Sequence, residues 1–368
     1  MALNVVNQNE DATSRIGSTS YWFAYGCLLL LMVAGGSIGC KKPMKVAMTG
    51  NLTGNLTGNV ITHLPPDNTA TPVVQRTIQG DSAECLKIAI IDVDGILLNR
   101  NFKGLESMGE NPVALFHEKL MAAQRDPMIR GVVLRLNSPG GSVTACDLMR
   151  RDLLQFKQST GKPVVTSILD TGAGGAYYLA TASDAIYAHP TSVVGGVGVI
   201  INIYNMSDTL EQQNIQPTPV RSGEHIDLGS PAFKMSKDGK GILEGIAKEF
   251  HGRFRDAVTS SRPRTQEKDL DGRVFTASYA KDNGFIDDTI YFDEAIREAK
   301  VLSGIGENAK VVMFRRANDR ALTEFDITPN TPASLASIPL SIPGLDRAKL
   351  PHFLYLWQPE SSLESHAY

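Results

Sequence analysis

Asn137-Ser-Pro-Gly-Gly-Ser142 is where residue type and spacing first suggest chemistry. It follows an apolar run, Gly131-Val-Val-Leu-Arg-Leu136. It precedes a segment, Ser142 to Phe156, in which Val143, Cys146, Met149, Leu153 and Phe156 recur at helical spacing. Glycines at a strand-to-helix turn let the backbone bend tightly and aim its N–H groups outward near a helix start. Such groups can hold a developing oxyanion, a large contribution to acyl transfer. Ser138, Gly140 and Gly141 are therefore candidate oxyanion or peptide-groove residues, and Gly175 of the later pair Gly174-Gly175 is a fourth. A lone glycine pair in such a turn is more often an ordinary loop, so the case rests on what surrounds it.

The flanking elements alternate. Leu86 to Val93 is a β-branched run closed by Asp94-Gly95 and reads as a buried strand. Val113, Phe116, Leu120 and Met121 predict a helix over Pro112 to Arg125. Lys162 to Ile168 and Ala185 to Ala188 read as further strands, residues 172–183 as a helix of small residues, and Leu243 to Val258 as an amphipathic helix. Strand and helix at short intervals predict an α/β domain of right-handed βαβ units around a largely parallel sheet. From Leu302 the chain turns Pro- and Ser-rich and ends in apolar Phe353-Leu-Tyr-Leu-Trp357, read as a docking arm or an interfacial segment.

Lys162-Pro-Val-Val, Gly174-Gly175-Ala-Tyr-Tyr-Leu-Ala180, Ser183-Asp184 and Gly195-Gly196-Val-Gly-Val199 follow one another in order. Ser222-Gly223 with Asp227-x-Gly229-Ser230-Pro231, Gly272-Arg-Val-Phe-Thr276 and Gly284-Phe-Ile-Asp287 come after them. From about Leu86 to about Ser303 this series resembles the signal peptide peptidase A family, membrane-bound bacterial peptidases with a Ser–Lys dyad. The resemblance implies a Clp/crotonase-like fold, a repeated β-β-α superhelix with a largely parallel sheet. It also implies assembly into a homo-oligomeric ring and cleavage of hydrophobic or signal-derived peptides.

Matched to the family, the nucleophile slot holds Gly174 and the general-base lysine slot holds Ile226; a serine usual between two later glycines is also missing, at Gly196. Glycine has no nucleophilic atom and isoleucine accepts no proton. An oxyanion hole alone leaves about 10³–10⁴-fold acceleration, against the ~10⁶-fold or more of efficient enzymes. Of nearby substitutes, His225 would point away from the lysine slot if its segment were extended. Thr171, Ser167 and Ser183 read as turn or helix hydroxyls, Asp170 and Asp184 as turn or cap residues, and Ile226 as an apolar filling of a dried-out pocket. The expectation is a catalytically silent homologue that binds hydrophobic peptides or modulates an active paralogue. The alternatives are an active serine peptidase with a relocated dyad, or other acyl chemistry on the same fold.

Tyr21 to Ile38 is an uncharged apolar stretch ending at Gly39-Cys40, similar to a bacterial lipoprotein cleavage site with Cys40 as the lipidated residue. Ser37 stands where a branched aliphatic is usual. Lys41, Lys42 and Lys45 follow the stretch, while Arg15 stands against Glu10 and Asp11 before it, which favours an uncleaved anchor instead. Either reading places the chain at a bacterial membrane. The expected organisation is 1–40 signal or anchor, 41–83 polar linker with its Asn-Leu-Thr-Gly repeat, 84–303 peptidase-like domain and 304–368 tail. A net charge of -3 without clustered Lys/Arg argues against nucleic acid as a partner. Cys27, Cys40, Cys85 and Cys146 form no C-x-x-C, and neither a metal site nor a cofactor signature is read.

Overall fold

The computed structural model describes residues 71–80, 83–104, 107–317, 319–328 and 353–357. In chain order the elements are β1 (Val74–Gln79), β2 (Lys87–Leu97), β3 (Phe102–Gly104), β4 (Ser107–Glu110), α1 (Pro112–Arg125), β5 (Ile129–Ser142), α2 (Val143–Thr160), β6 (Val164–Ala173), α3 (Gly175–Ala180), β7 (Ala185–Ala188) and β8 (Val193–Gly195). They continue with α4 (Ser207–Gln212), α5 (Lys237–Ser261), β9 (Val274–Thr276), α6 (Ala277–Asp282), β10 (Asp288–Thr289), α7 (Phe292–Leu302), β11 (Lys310–Arg315) and β12 (Leu354–Leu356). The main sheet runs β1-β11-β2-β5-β6-β7-β10. From β11 to β10 every neighbour is parallel, and β8 adds in parallel to the outer part of β6. This is the α/β fold with a largely parallel sheet that the alternation predicts.

Period-two alternation explains why the sheet is buried on both faces. Ala89, Ile91 and Val93 of β2 and Val132, Leu134 and Leu136 of β5 pack with Phe116 and Leu120 of α1 and with Met149, Leu153 and Phe156 of α2. Ile88, Ile90 and Val133 face the other way, onto Phe292 and Ile296 of α7 with Val311 and Met313 of β11. Helix starts are built locally: Asn111 accepts from the amides of Val113 and Ala114 ahead of α1, and Ser142 from that of Ala145 ahead of α2.

The structure differs from the sequence reading where tertiary pairing extends or shortens elements. β2 runs through Asp94-Gly95 to Leu97, β5 runs on to Ser142, and β6 reaches Ala173, so α3 is shorter than the helix expected over 172–183. β1 lies in the stretch read as linker and β11 in the stretch read as tail, and they pair with each other at the edge of the main sheet. A buried charged cluster ties the segment after β11 to the sheet. Lys119 Nζ donates to Asp92 Oδ1 at 2.7 Å and to the Thr328 carbonyl at 2.6 Å. Arg135 Nη1 donates to the carbonyls of Glu324 and Asp326, at 2.6 and 2.8 Å, and its Nη2 to Asp94 Oδ2 at 3.2 Å. Among the described residues no helix is long and apolar enough to cross a membrane. The stretch Tyr21 to Ile38 and Cys40 lie outside the described residues.

Candidate functional site

Gly174 is the single residue between β6 and α3, with φ 54° and ψ −129°. A side chain at positive φ is strained, and a strained strand-to-helix turn is how nucleophile elbows expose a serine. Here glycine relieves that strain. The turn is held by the Gly174 amide donating to the Gly195 carbonyl at 2.9 Å and by the Tyr178 amide donating to the Gly174 carbonyl at 3.0 Å.

The outer half of β5 supplies the facing wall. Asn137 to Ser142 is extended rather than turned, with Gly140 at φ 105°. Ser138 is fully buried, and its hydroxyl accepts from the Gly140 amide at 3.1 Å, so that N–H is already satisfied. A Cβ on Gly140 would lie 2.6 Å from the Gly175 amide nitrogen, and one on Gly174 would lie 2.9 Å from the Pro139 carbonyl oxygen. A Cβ on Gly141 would lie 2.7 Å from the Leu97 Cα. The structure thus brings Gly140, Gly141, Gly174 and Gly175 together; backbone contact explains the glycine at the first three, and the Cys146 side chain explains it at Gly175.

The groove between these walls holds a strand of the chain itself. β12 runs antiparallel to β5, pairing Leu354 with Ser142, Tyr355 with Gly141 and Leu356 with Gly140. The Phe353 carbonyl accepts from the Val143 amide at 3.2 Å, and the Trp357 amide donates to the Pro139 carbonyl at 3.0 Å. On the opposite edge Leu354 and Ile200 exchange both main-chain bonds, at 2.8 and 2.9 Å. The Tyr355 carbonyl oxygen would collide with a Cβ on either Gly140 or Gly174, and the latter Cβ would lie 2.8 Å from the carbonyl carbon.

Tyr355 is fully buried. Its ring packs on Phe254 and Tyr178, centroids 4.8 and 5.3 Å apart, and its hydroxyl donates to the Phe250 carbonyl at 2.7 Å. Tyr178 is oriented by donating to Asp147 Oδ1 at 2.8 Å, and Asp147 is held by Arg253. Burial, and next the hydrogen bond to Asp147, push the Tyr178 phenol up. The apolar run at 353–357 is therefore a groove strand. Its dense β-formers were the signal for a strand, but no spacing rule names the partner of a distant segment.

The remaining candidates are dispersed. Ile226 does not fill a dried pocket: it is 72% exposed, in a turn closed by bonds such as Leu228 N to His225 O at 3.1 Å. The segment is not extended, so the strand argument for His225 is replaced by its 3.4 Å approach to Asp238 at the surface. The Thr171 amide donates to Asn137 Oδ1, Ser183 and Thr166 share a hydrogen bond at 2.6 Å, and Ser167 is buried in β6. Asp170 lies in β6, where its carboxylate accepts from Asn137 Nδ2, and Asp184 accepts from the Val164 amide. Gly196 donates its amide to the Arg273 carbonyl at 2.8 Å, and a Cβ there would lie 2.9 Å from the Gly174 amide. Cys146, beneath Gly175, is a nearby thiol, but it is fully buried and burial pushes it far above its usual range. A thiol so placed is inert.

Residues 156–306 match peptidase family S49. A candidate signal peptide peptidase SppA of Enterococcus faecium is 28% identical over 62% of this chain and 67% of its own length. Protease 4 of Salmonella typhi is 28% identical over 74% of this chain. In these matches the chain is similar to the signal peptide peptidase A family. A candidate protease of Methanocaldococcus jannaschii is 27% identical over 54% of this chain. The chain spans 41% of the Salmonella relative and 64% of the Methanocaldococcus one.

Proposed function

We propose that this chain is a catalytically silent member of its peptidase family that holds extended hydrophobic peptides in the β5 groove without cleaving them. The observation that carries the reading is the turn at Gly174: at φ 54° it joins β6 to α3 with no side chain, and a peptide carbonyl, that of Tyr355, lies where a side chain would begin. The occupant is held by strand addition, which reads main chain by hydrogen bonds and alternate side chains by pockets. Nothing in that mode needs a nucleophile. Ser138 fits a supporting rather than a reacting role, since its hydroxyl is already engaged by Gly140. In this proposal the N-terminal segment, through Cys40 or as an anchor, keeps the groove at the bacterial envelope. Copies of the chain assemble, with exposed apolar side chains such as Val220 and Ile226 available to contact, and an active paralogue is a partner it modulates.

The test is covalent labelling with a fluorophosphonate, together with casein and hydrophobic peptides as substrates. The wild-type chain is expected to remain unlabelled and to cleave neither. A specific labelled hydroxyl in the wild type would overturn the reading in favour of a relocated dyad. Gly174→Ser is expected to remain unlabelled as well, because Ile226, at the lysine slot, is 72% exposed on a separate turn; labelling of that single variant would mean that a base stands elsewhere.

A further inference from the structure

The groove has one deep side-chain position, and its dimensions identify what it takes. Tyr355 enters beside Gly175, whose missing Cβ would collide with Cys146 Sγ and stand 3.3 Å from the Tyr355 Cβ. Phe254 and Tyr178 clasp the ring. At the far end the pocket closes on the Phe250 main-chain carbonyl, which accepts from the phenol. Inside α5 that carbonyl already accepts its helical amide, and the phenol adds a second donor to its free lone pair, so a ligand without a donor there forgoes only that second bond. The flanking positions are less selective: Phe353 stacks edge-on with Phe250 at 5.4 Å, and Leu354 and Leu356 are buried by contact alone.

We propose that this pocket reads tyrosine, that the groove's ligands are extended apolar peptides with a central tyrosine, and that Phe353–Trp357 is the resident ligand such peptides must displace. The proposal rests on the peptide-holding reading above and adds the residue preference and the competitor. Three observations support it. The tail uses both groove edges, β5 on one side and Ile200 on the other, as an incoming peptide would. Its central residue donates its phenol to a main-chain carbonyl of the pocket at 2.7 Å. Its tethering gives it an effective concentration on the order of millimolar, enough to hold the groove against dilute peptides yet displaceable by a better one.

The experiment uses the full chain and a fluorescein-labelled peptide, Phe-Leu-Tyr-Leu-Trp flanked by lysines, with versions carrying Phe or Ala in place of the tyrosine. Binding is read by anisotropy, and circular dichroism checks each variant's fold. Tyr355→Ala is expected to bind the tyrosine peptide at least about tenfold more tightly than the wild type, because the tethered competitor has lost its anchor. The milder Tyr355→Phe removes only the phenol bond, so about a fivefold gain is expected, and it serves if the alanine variant is unstable. The phenylalanine peptide should bind about fivefold more weakly than the tyrosine peptide, and the alanine peptide more weakly still. Equal affinity of the wild type and both tail variants would overturn the resident-ligand assignment. Equal affinity for all three peptides would overturn the tyrosine assignment, and either result leaves peptide holding intact. No binding of any peptide by any form would instead sink the peptide-holding reading itself.

Discussion

Replacing Gly174 with alanine adds one methyl group at the centre of the site, and its consequences follow from the geometry. The residue sits at φ 54°, ψ −129°, where a Cβ costs about 1–3 kcal/mol of backbone strain. The same methyl would collide with the Tyr355 carbonyl oxygen, so either β6 or the tail must yield. β6 lies inside the core, and the tail is held more lightly. Burying Leu354, Tyr355 and Leu356 contributes about 5–9 kcal/mol. The main-chain bonds of Phe353, Leu354 and Trp357 add about 4 kcal/mol, and ordering residues 353–357 costs about 5–10 kcal/mol. Docking is thus favourable by only a few kcal/mol, and the tail should leave first. Trp357 reports this once Trp22, the other tryptophan, is changed to phenylalanine. In that background Gly174→Ala should red-shift the Trp357 emission and open the tail to protease. Global stability should fall by about 1–3 kcal/mol. Gly161→Ala is the control: its φ is 67° and nothing lies within 4 Å of its Cβ, so it should cost about 1 kcal/mol and leave Trp357 unmoved. An unshifted Trp357 spectrum and unchanged protection in Gly174→Ala would refute the placement of the Tyr355 carbonyl at this turn.

Three further outcomes follow from the buried interactions. Lys119→Met removes the nearer of the two cations at Asp92, leaving Arg135 at 3.7 Å, and should cost no more than the ~3–5 kcal/mol of an unpaired buried charge in urea unfolding, with the loss smaller in Lys119→Met/Asp92→Asn. Burial, opposed chiefly by Arg135, raises the Asp94 carboxyl from 3.8 to about 6. The folded state therefore holds this proton to higher pH than the unfolded one, so its contribution to stability is gained as pH falls from about 6 towards 3.8 and lost as pH rises through that window. Asp94→Asn should remove a change of about 3 kcal/mol across it, measured as the difference between the two unfolding profiles. Asn111→Ala removes the α1 cap and should cost about 1 kcal/mol by thermal melting, without altering peptide binding.

The scaffold was legible wherever local pattern and burial agree. The spacing of Val113, Phe116 and Leu120 locates α1, and the apolar runs locate the cores of β2, β5 and β6, because one periodicity serves both propensity and packing. The ends of those strands were not legible. Asn137 to Ser142 has turn chemistry by residue type, yet β12 and β2 pair with it and hold it extended, a tertiary override of propensity. Ile226 was misread for a related reason. An apolar residue suggests burial, but single apolar side chains are common on surfaces, and only its turn geometry decides. The four glycines of the site were legible by type and order, while what presses on them was not. The occupant lies in a segment remote in sequence, and nothing in a single sequence sets the register between Tyr355 and Gly141.

The antiparallel strand on an otherwise parallel stretch also bears on how the molecule keeps to itself. The outer end of β5 continues past the core, and with β12 removed the Pro139 carbonyl and the Val143 amide would lose their partners. Such an exposed, glycine-rich edge is a template for pairing with any extended chain, including other copies of the same protein. By lying there, Phe353–Trp357 acts as a sheath over a sticky edge. An emptied groove would therefore carry a solubility penalty.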